Sequence, residues 1–236
     1  MRLIIGLILI NFFVKSDIEN NFKEVTLTSD NLISLKGNIN EELISNVIYK
    51  LNILEKEDIY IYINSNGGDV KAGNKLIEAI NFYKIKKKIY CIANYAASMA
   101  FIILQSCPNR FATTQAVLMQ HQISLSIKNK KNNIESYFKY IENLENEIID
   151  LQIKKIDITK EAFLKKIQND WWLTGKQALK EKVVDNLVVV GCNINEKETY
   201  QEIKYETVNN VLLKVITTFS QCPLVNIEIN KEYISI

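Results

Sequence analysis

The chain has 236 residues, 47% hydrophobic and 24% charged, a composition that fits one globular domain and excludes a disordered or fibrous protein. Twenty-nine basic residues against 27 acidic ones leave a formal charge of +2, too weak a field to hold nucleic acid or an anionic membrane surface. One histidine and four scattered cysteines (Cys91, Cys107, Cys192 and Cys222) with no C-x-x-C pair do not supply a zinc ligand set, so no metal is expected, and the cysteines are expected as free, mostly buried thiols.

In chain order, residues 1–21 come first: a basic start, an apolar run over residues 3–14 and a polar close at Lys15-Ser16-Asp17. The run is as long as a signal-peptide core and shorter than the roughly 20 residues of a spanning helix. No A-x-A cleavage site follows, and a core element or an interfacial anchor are the alternative readings. No stable membrane span is expected.

Residues 22–192 alternate strand-like and helix-like runs, the pattern of an α/β domain with a largely buried sheet. Leu32 to Leu35 reads as a strand, Asn40 as the cap of a helix running to about residue 54, and Ile59 to Ile63 as a strand buried on both faces. A turn is expected at Asn64-Ser65-Asn66-Gly67-Gly68, then a helix to Tyr83, a strand from Ile89 to Ala93, and an apolar helix over 96–105 with Ser98 in its first turn. Residues 111–121 extend again. Ile134, Phe138, Ile141, Leu144, Ile148 and Leu151 recur at helical spacing, which predicts a long amphipathic helix over 133–157. Thr174-Gly175-Lys176-Gln177 has the form of a capping box and starts a last helix before a strand over 183–190. Residues 193–236 form an extension of unassigned role, in which the stretch 211–219 is apolar enough to pack or to form a helix.

The chemistry gathers at three of these elements. A serine at a helix start lies where backbone N–H groups and the helix dipole favour negative charge, and Ser98 holds that place. Its hydroxyl needs a base, and His121 is the only histidine. Gly67-Gly68 allows a backbone N–H to approach an oxyanion with no Cβ in the way. Asp69, Asp150, Asp157, Asp170 and Asp185 are all available to orient the imidazole, and spacing does not choose among them. Each feature alone has a plainer reading. The serine can be a cap, the histidine a hydrogen-bonded structural residue, and the glycine pair a phosphate or carboxylate cradle, although the G-x-G-x-x-G and G-K-[ST] patterns are lacking.

Taken together, Ile63-Asn64-Ser65-Asn66-Gly67-Gly68, Ala72-Gly73, Tyr95-Ala96-Ala97-Ser98-Met99, Arg110-Phe111 and Met119-Gln120-His121-Gln122 resemble, in order and over about residues 31–190, the signatures of the proteolytic subunits of Clp proteases. The resemblance implies an α/β fold, a crotonase-like spiral of ββα units with a protruding strand-helix handle, the handle helix being the one over 133–157. It implies a serine endopeptidase with Ser98 as nucleophile, His121 as general base and Asp170 as the third member, since Asp170-Trp171-Trp172-Leu173-Thr174-Gly175 matches the stretch that opens on the catalytic acid. The backbone N–H groups of Gly68 and Met99 fall on the oxyanion donors. It further implies sevenfold rings stacked in pairs as a tetradecamer, built of this chain alone or with related subunits, and fed with protein substrates by an AAA+ unfoldase. ATP is then that partner's requirement, and no cofactor is expected on this chain.

Gln122 to Lys128 lacks the family's proline and glycine-rich strand, and Asn169 stands where an arginine often precedes the catalytic aspartate. These departures keep a second reading open, a catalytically silent ring subunit. A crotonase-like acyl-CoA enzyme is a third, and it requires no Ser-His-Asp set. The signal-like start points to a plastid-like organelle (apicoplast-type) reached through the secretory route, with a bacterial-type cytoplasm as the alternative.

Overall fold

The computed structural model describes residues 22–124, 128, 130–194, 199–208, 211–225 and 228–235. The signal-like stretch 1–21 lies outside these residues, as do 125–127 within the segment that departs from the family pattern.

The fold class is the one expected, α/β with a mostly parallel sheet. Ten strands and six helices are present among the described residues. The main sheet runs in the order β1 (Lys23–Leu27), β7 (Asn186–Cys192), β5 (Asn109–Gln120), β4 (Lys88–Ala97), β3 (Asp58–Gly68) and β2 (Leu32–Ile39). All these neighbours pair in parallel, and β6 (Trp171–Thr174) is laid antiparallel along the end of β5.

Helices form where local signals call for them. Asn40 accepts from the Leu43 N–H to open α1 (Glu41–Ile53), and Asp69 accepts from the Ala72 N–H to open α2 (Val70–Tyr83). Thr174 and Gln177 make the reciprocal capping box of α6 (Gly175–Lys180). Helix α3 (Met99–Ser106) is apolar nearly all round and is buried along its whole length, wedged between α2, the long helix α4 (Lys131–Ile156) and the sheet. The main core lies on this helical side, with Leu35, Ile61, Ile63, Ile103 and Phe163 fully buried. A smaller cluster around Tyr62, Ile92 and Phe111 covers the other face, and burial there pushes the Tyr62 phenol up to about 12.

Helix α4 (Lys131–Ile156) has 26 residues and spans about 39 Å at 1.5 Å per residue. Its first ten residues are exposed or nearly so, Tyr137, Phe138 and Tyr140 among them, while Ile141, Ile148, Ile149, Gln152 and Ile156 are buried. The helix thus projects from the body at one end and packs on α3 at the other. A short helix that the sequence reading did not single out, α5 (Lys160–Ile167), follows, and Phe163 on it packs edge-on against Trp171.

Three expectations are corrected. The stretch Asn64 to Gly68 is not a turn. It continues β3, because its backbone still pairs with β2 on one side and, through Ser65, with β4 on the other, with shifts of register absorbing the irregularity. The stretch 211–219 is not a helix. It is β9 (Val211–Ser220), the centre of a separate antiparallel sheet with β8 (Thr199–Val208) and β10 (Glu228–Ser235), as its β-branched residues favour. The cysteines are not free thiols. Cys91 on β4 is bonded to Cys107 at the end of α3, because α3 turns back over β4 and brings their Cα atoms to 6.1 Å. Cys192 at the end of β7 is bonded to Cys222 just past β9, tying the C-terminal sheet to the main one.

The start of β5 is fixed by a polar lock. The Arg110 guanidinium is buried and meets the Asp185 carboxylate through Nε at 3.2 Å, with Nη2 also in contact. Asp185 also accepts from the Arg110 backbone N–H at 2.7 Å, and Arg110 Nη1 donates to Gln105 on α3 at 2.8 Å. Asp185→Ala leaves the guanidinium buried beside an empty site. A loss of about 3 kcal/mol is expected, the lower end for a broken buried pair because the Asp185 side chain is itself 38% exposed. Chemical denaturation of the variant against the parent measures it.

Candidate active site

The site is built where three strand ends converge. β4 ends at Ala97, and the Ser98 N–H donates to the Met119 carbonyl of β5 at 2.9 Å, so the chain leaves the sheet at Ser98 and enters α3 at Met99. Ser98 adopts φ 55° and ψ −122°, a conformation that costs a non-glycine residue about 1–3 kcal/mol. Its side chain makes no capping bond to α3, so the cap reading does not describe it. A strained serine on a sharp strand-to-helix turn is the geometry that exposes a nucleophilic Oγ at a helix N-terminus.

The end of β3 passes against this turn with no room for side chains. A Cβ on Gly67 would stand 2.7 Å from the Ala97 carbonyl oxygen, 2.8 Å from Ser98 Cβ and 2.9 Å from Met99 N, and Gly67 itself has φ +94°. A Cβ on Gly68, at φ +145°, would strike the Ile39 backbone of β2. Both positions therefore require glycine. The buried Ser65 hydroxyl accepts from the Gly67 N–H at 3.1 Å and steadies the approach.

Ser98, His121, Gly68 and Met99 line one cleft of about 200 Å³. His121 follows directly on the last residue of β5 and is half-buried. Asp170 does not line the cleft and is exposed. It stands just before β6, whose register with β5 pairs Met119 with Trp172 and Gln120 with Trp171. His121 and Asp170 are the residues that flank the last pair of this ladder, one directly after Gln120 and the other directly before Trp171. Among the described residues the Ser98 hydroxyl, the His121 imidazole and the Asp170 carboxylate make no hydrogen bond to one another.

The other carboxylates are occupied or distant. Asp69 caps α2, Asp157 pairs with Lys182 at 2.7 Å, which holds its carboxyl below the usual range, and Asp185 belongs to the Arg110 lock. Asp150 is exposed on α4 and does not line the cleft.

The wall opposite Ser98 was not anticipated from the sequence. The inner half of α4 contributes Glu145, Ile148, Ile149 and Gln152, and Ile167 of α5 joins them. The signal available was Gln152, a polar residue on the apolar stripe of the helix one turn after Ile148. No group of three or more His, Cys, Asp or Glu residues gathers among the described residues to hold a metal, and no described helix is long and apolar enough to cross a membrane.

The sequence profile of Clp proteases matches residues 16–190. The chain belongs to the Clp protease family. Its relatives include the ATP-dependent Clp protease proteolytic subunit of Borreliella afzelii (strain PKo), 30% identical over 168 residues that cover 69% of this chain and 85% of that protein. The corresponding subunit 1 of Borreliella burgdorferi and the subunit of Borrelia garinii subsp. bavariensis are also 30% identical, each over 69% of this chain and 87% of the relative. All five residues singled out by resemblance fall inside the matched region, and the C-terminal sheet falls outside it.

Gly67→Ala tests the close approach of β3 to the Ser98 turn. The added methyl meets backbone atoms, so the turn must move. Loss of reactivity at Ser98 is expected together with a stability loss of at least about 1 kcal/mol, read as a lower denaturation midpoint. An unchanged midpoint with full reactivity would refute the steric account.

Proposed function

We propose that this member of the family is an active serine endopeptidase, the proteolytic-chamber subunit of an ATP-dependent Clp protease. The observation that carries the reading is the strained Ser98, at the start of a buried helix and sharing one cleft with the sole histidine. In this reading Ser98 Oγ attacks the substrate carbonyl while His121 takes its proton, and the tetrahedral oxyanion is held by the Gly68 and Met99 N–H groups. His121 then returns the proton to the leaving amine, and water, activated the same way, releases the acyl group. Asp170 keeps the imidazole in the right tautomer, a role supported by its place directly before Trp171, which pairs with Gln120, the neighbour of His121.

The relatives are named as subunits of an ATP-dependent protease. By extension, this chain assembles with copies of itself, and with related subunits where these exist, into sevenfold rings stacked as a tetradecamer. It receives unfolded protein from an AAA+ Clp ATPase, which spends the ATP, so the chain needs no cofactor of its own. The exposed aromatic end of α4 suits ring-to-ring contact. A plastid-like organelle is the proposed site of action, with a bacterial-type cytoplasm as its alternative. A reporter fused to residues 1–30 tests it, and a diffuse cytosolic signal would overturn it.

The silent-subunit reading draws on the lack of hydrogen bonds among Ser98, His121 and Asp170. Fluorophosphonate labelling of the assembled protein, read by mass spectrometry, separates the two. Modification of Ser98, abolished in Ser98→Ala, is expected. A well-folded ring that takes no label would establish the scaffold role instead. A crotonase-like activity would require acyl-CoA turnover that survives Ser98→Ala.

A further inference from the structure

Two amides set one part of the cleft apart from its apolar walls. Gln120 is the last residue of β5, next to His121, and Gln152 lies on the buried side of α4. They are 3% and 1% exposed, and both line the cleft. Gln120 Nε2 donates to Gln152 Oε1 at 2.7 Å, and Gln152 Nε2 donates to the Ile148 carbonyl at 3.1 Å.

A primary amide offers two N–H donors and an oxygen with two lone pairs. The pair therefore uses one N–H of each residue and the oxygen of Gln152. Gln120 Oε1 and one N–H of each amide have no protein partner among the described residues. Buried polar groups are ordinarily paired, and a ligand that carries the matching groups recovers what their isolation costs. Around them the cleft is lined by Val70, Met99, Ile102, Ile148, Ile149 and Ile167.

We propose that this cleft receives the side chain of the residue whose carbonyl is attacked, and that the Gln120–Gln152 pair makes it select glutamine. The inference rests on the peptidase reading. The methylene stem of glutamine lies against the apolar walls, and its carboxamide donates to Gln120 Oε1 and accepts from a free amide N–H. Methionine has nearly the same length and flexibility, but its thioether donates nothing and leaves the amides unpaired. An acidic side chain is opposed by Glu145, which lines the same cleft.

Three fluorogenic peptides, identical except for Gln, Met or Lys before the scissile bond, test the assignment on the assembled full chain. The Gln peptide is expected to exceed the Met peptide about tenfold in kcat/KM, the worth of one net hydrogen bond to a buried group. The preference should reverse in Gln120→Met/Gln152→Leu. Equal or better cleavage of the Met peptide by the parent protein overturns the assignment, and this comparison does not depend on whether the variant folds. So does a best rate with Lys, which would hand the selection to Glu145, and so does an unchanged ratio in a folded double variant. Fluorophosphonate labelling run alongside separates the two levels of failure. Labelled Ser98 without a Gln preference sinks the amide assignment alone, whereas no label and no cleavage of any peptide sinks the peptidase reading and this inference with it.

Discussion

The close passage of the end of β3 against the Ser98 turn is the constraint on which the rest of the site depends. Main chain meets main chain there, with Gly67 facing the Ala97 carbonyl, Ser98 Cβ and Met99 N. Neither side can yield. β3 is paired with β2 and β4, and the turn is pulled toward β5 by the Ser98 N–H to Met119 carbonyl bond. The serine therefore keeps a backbone conformation it would leave if released. Helix α3 adds the remaining force: its eight residues are buried on all sides and its first turn cannot drift. Even the packing of α2 on α3 follows this economy of space, since a Cβ on Gly73 would run into the Met99 side chain.

Strand β5 acts as the ruler of the site. Its start is locked to the β7 side by Arg110 and Asp185, its middle pairs with β4, and its end carries Gln120 and then His121. Because β6 returns antiparallel along that end, residues far apart in the chain become neighbours: Trp171 pairs with Gln120 and Trp172 with Met119. Helix α4 is divided between two tasks by its burial pattern. Its outer turns stand clear of the body with aromatic rings exposed, and its inner turns close the cleft with Ile148, Ile149 and the buried Gln152. The C-terminal sheet is an addition outside the matched family region, held to β7 by the bond between Cys192 and Cys222.

Much of the fold was legible because its signals are local. Asn40 and the Thr174 capping box mark helix starts, Ile59 to Ile63 marks a buried strand, and the repeating apolar positions mark α4. Misreadings fell where tertiary partners override local preference. Asn64 to Gly68 has the composition of a turn, yet strands on both sides hold it extended. The stretch 211–219 is apolar without a clear period, and the two strands that flank it decide that it is a strand. The cysteine pairs, separated by 16 and 30 positions, are joined only because α3 folds back on β4 and because the C-terminal sheet meets the end of β7.

Ser98, His121 and the glycine pair stood out in the sequence as candidates, because a nucleophile, a base and a close backbone approach each demand particular residue types. Residue type alone left five carboxylates equal. Folding removed that equality by giving Asp69 a helix to cap, Asp157 and Asp185 cations to pair with and Asp150 an outward face, while Asp170 directly precedes β6, whose first residue Trp171 pairs with Gln120 beside His121. The amides of Gln120 and Gln152 are 32 positions apart, and nothing in their spacing announces that they share a proton donor and an acceptor inside the cleft. Which chemistry is available was thus written in the residue types, whereas which of them meet was decided by strand register and by the packing of α3 and α4, since these alone convert distance along the chain into distance in space.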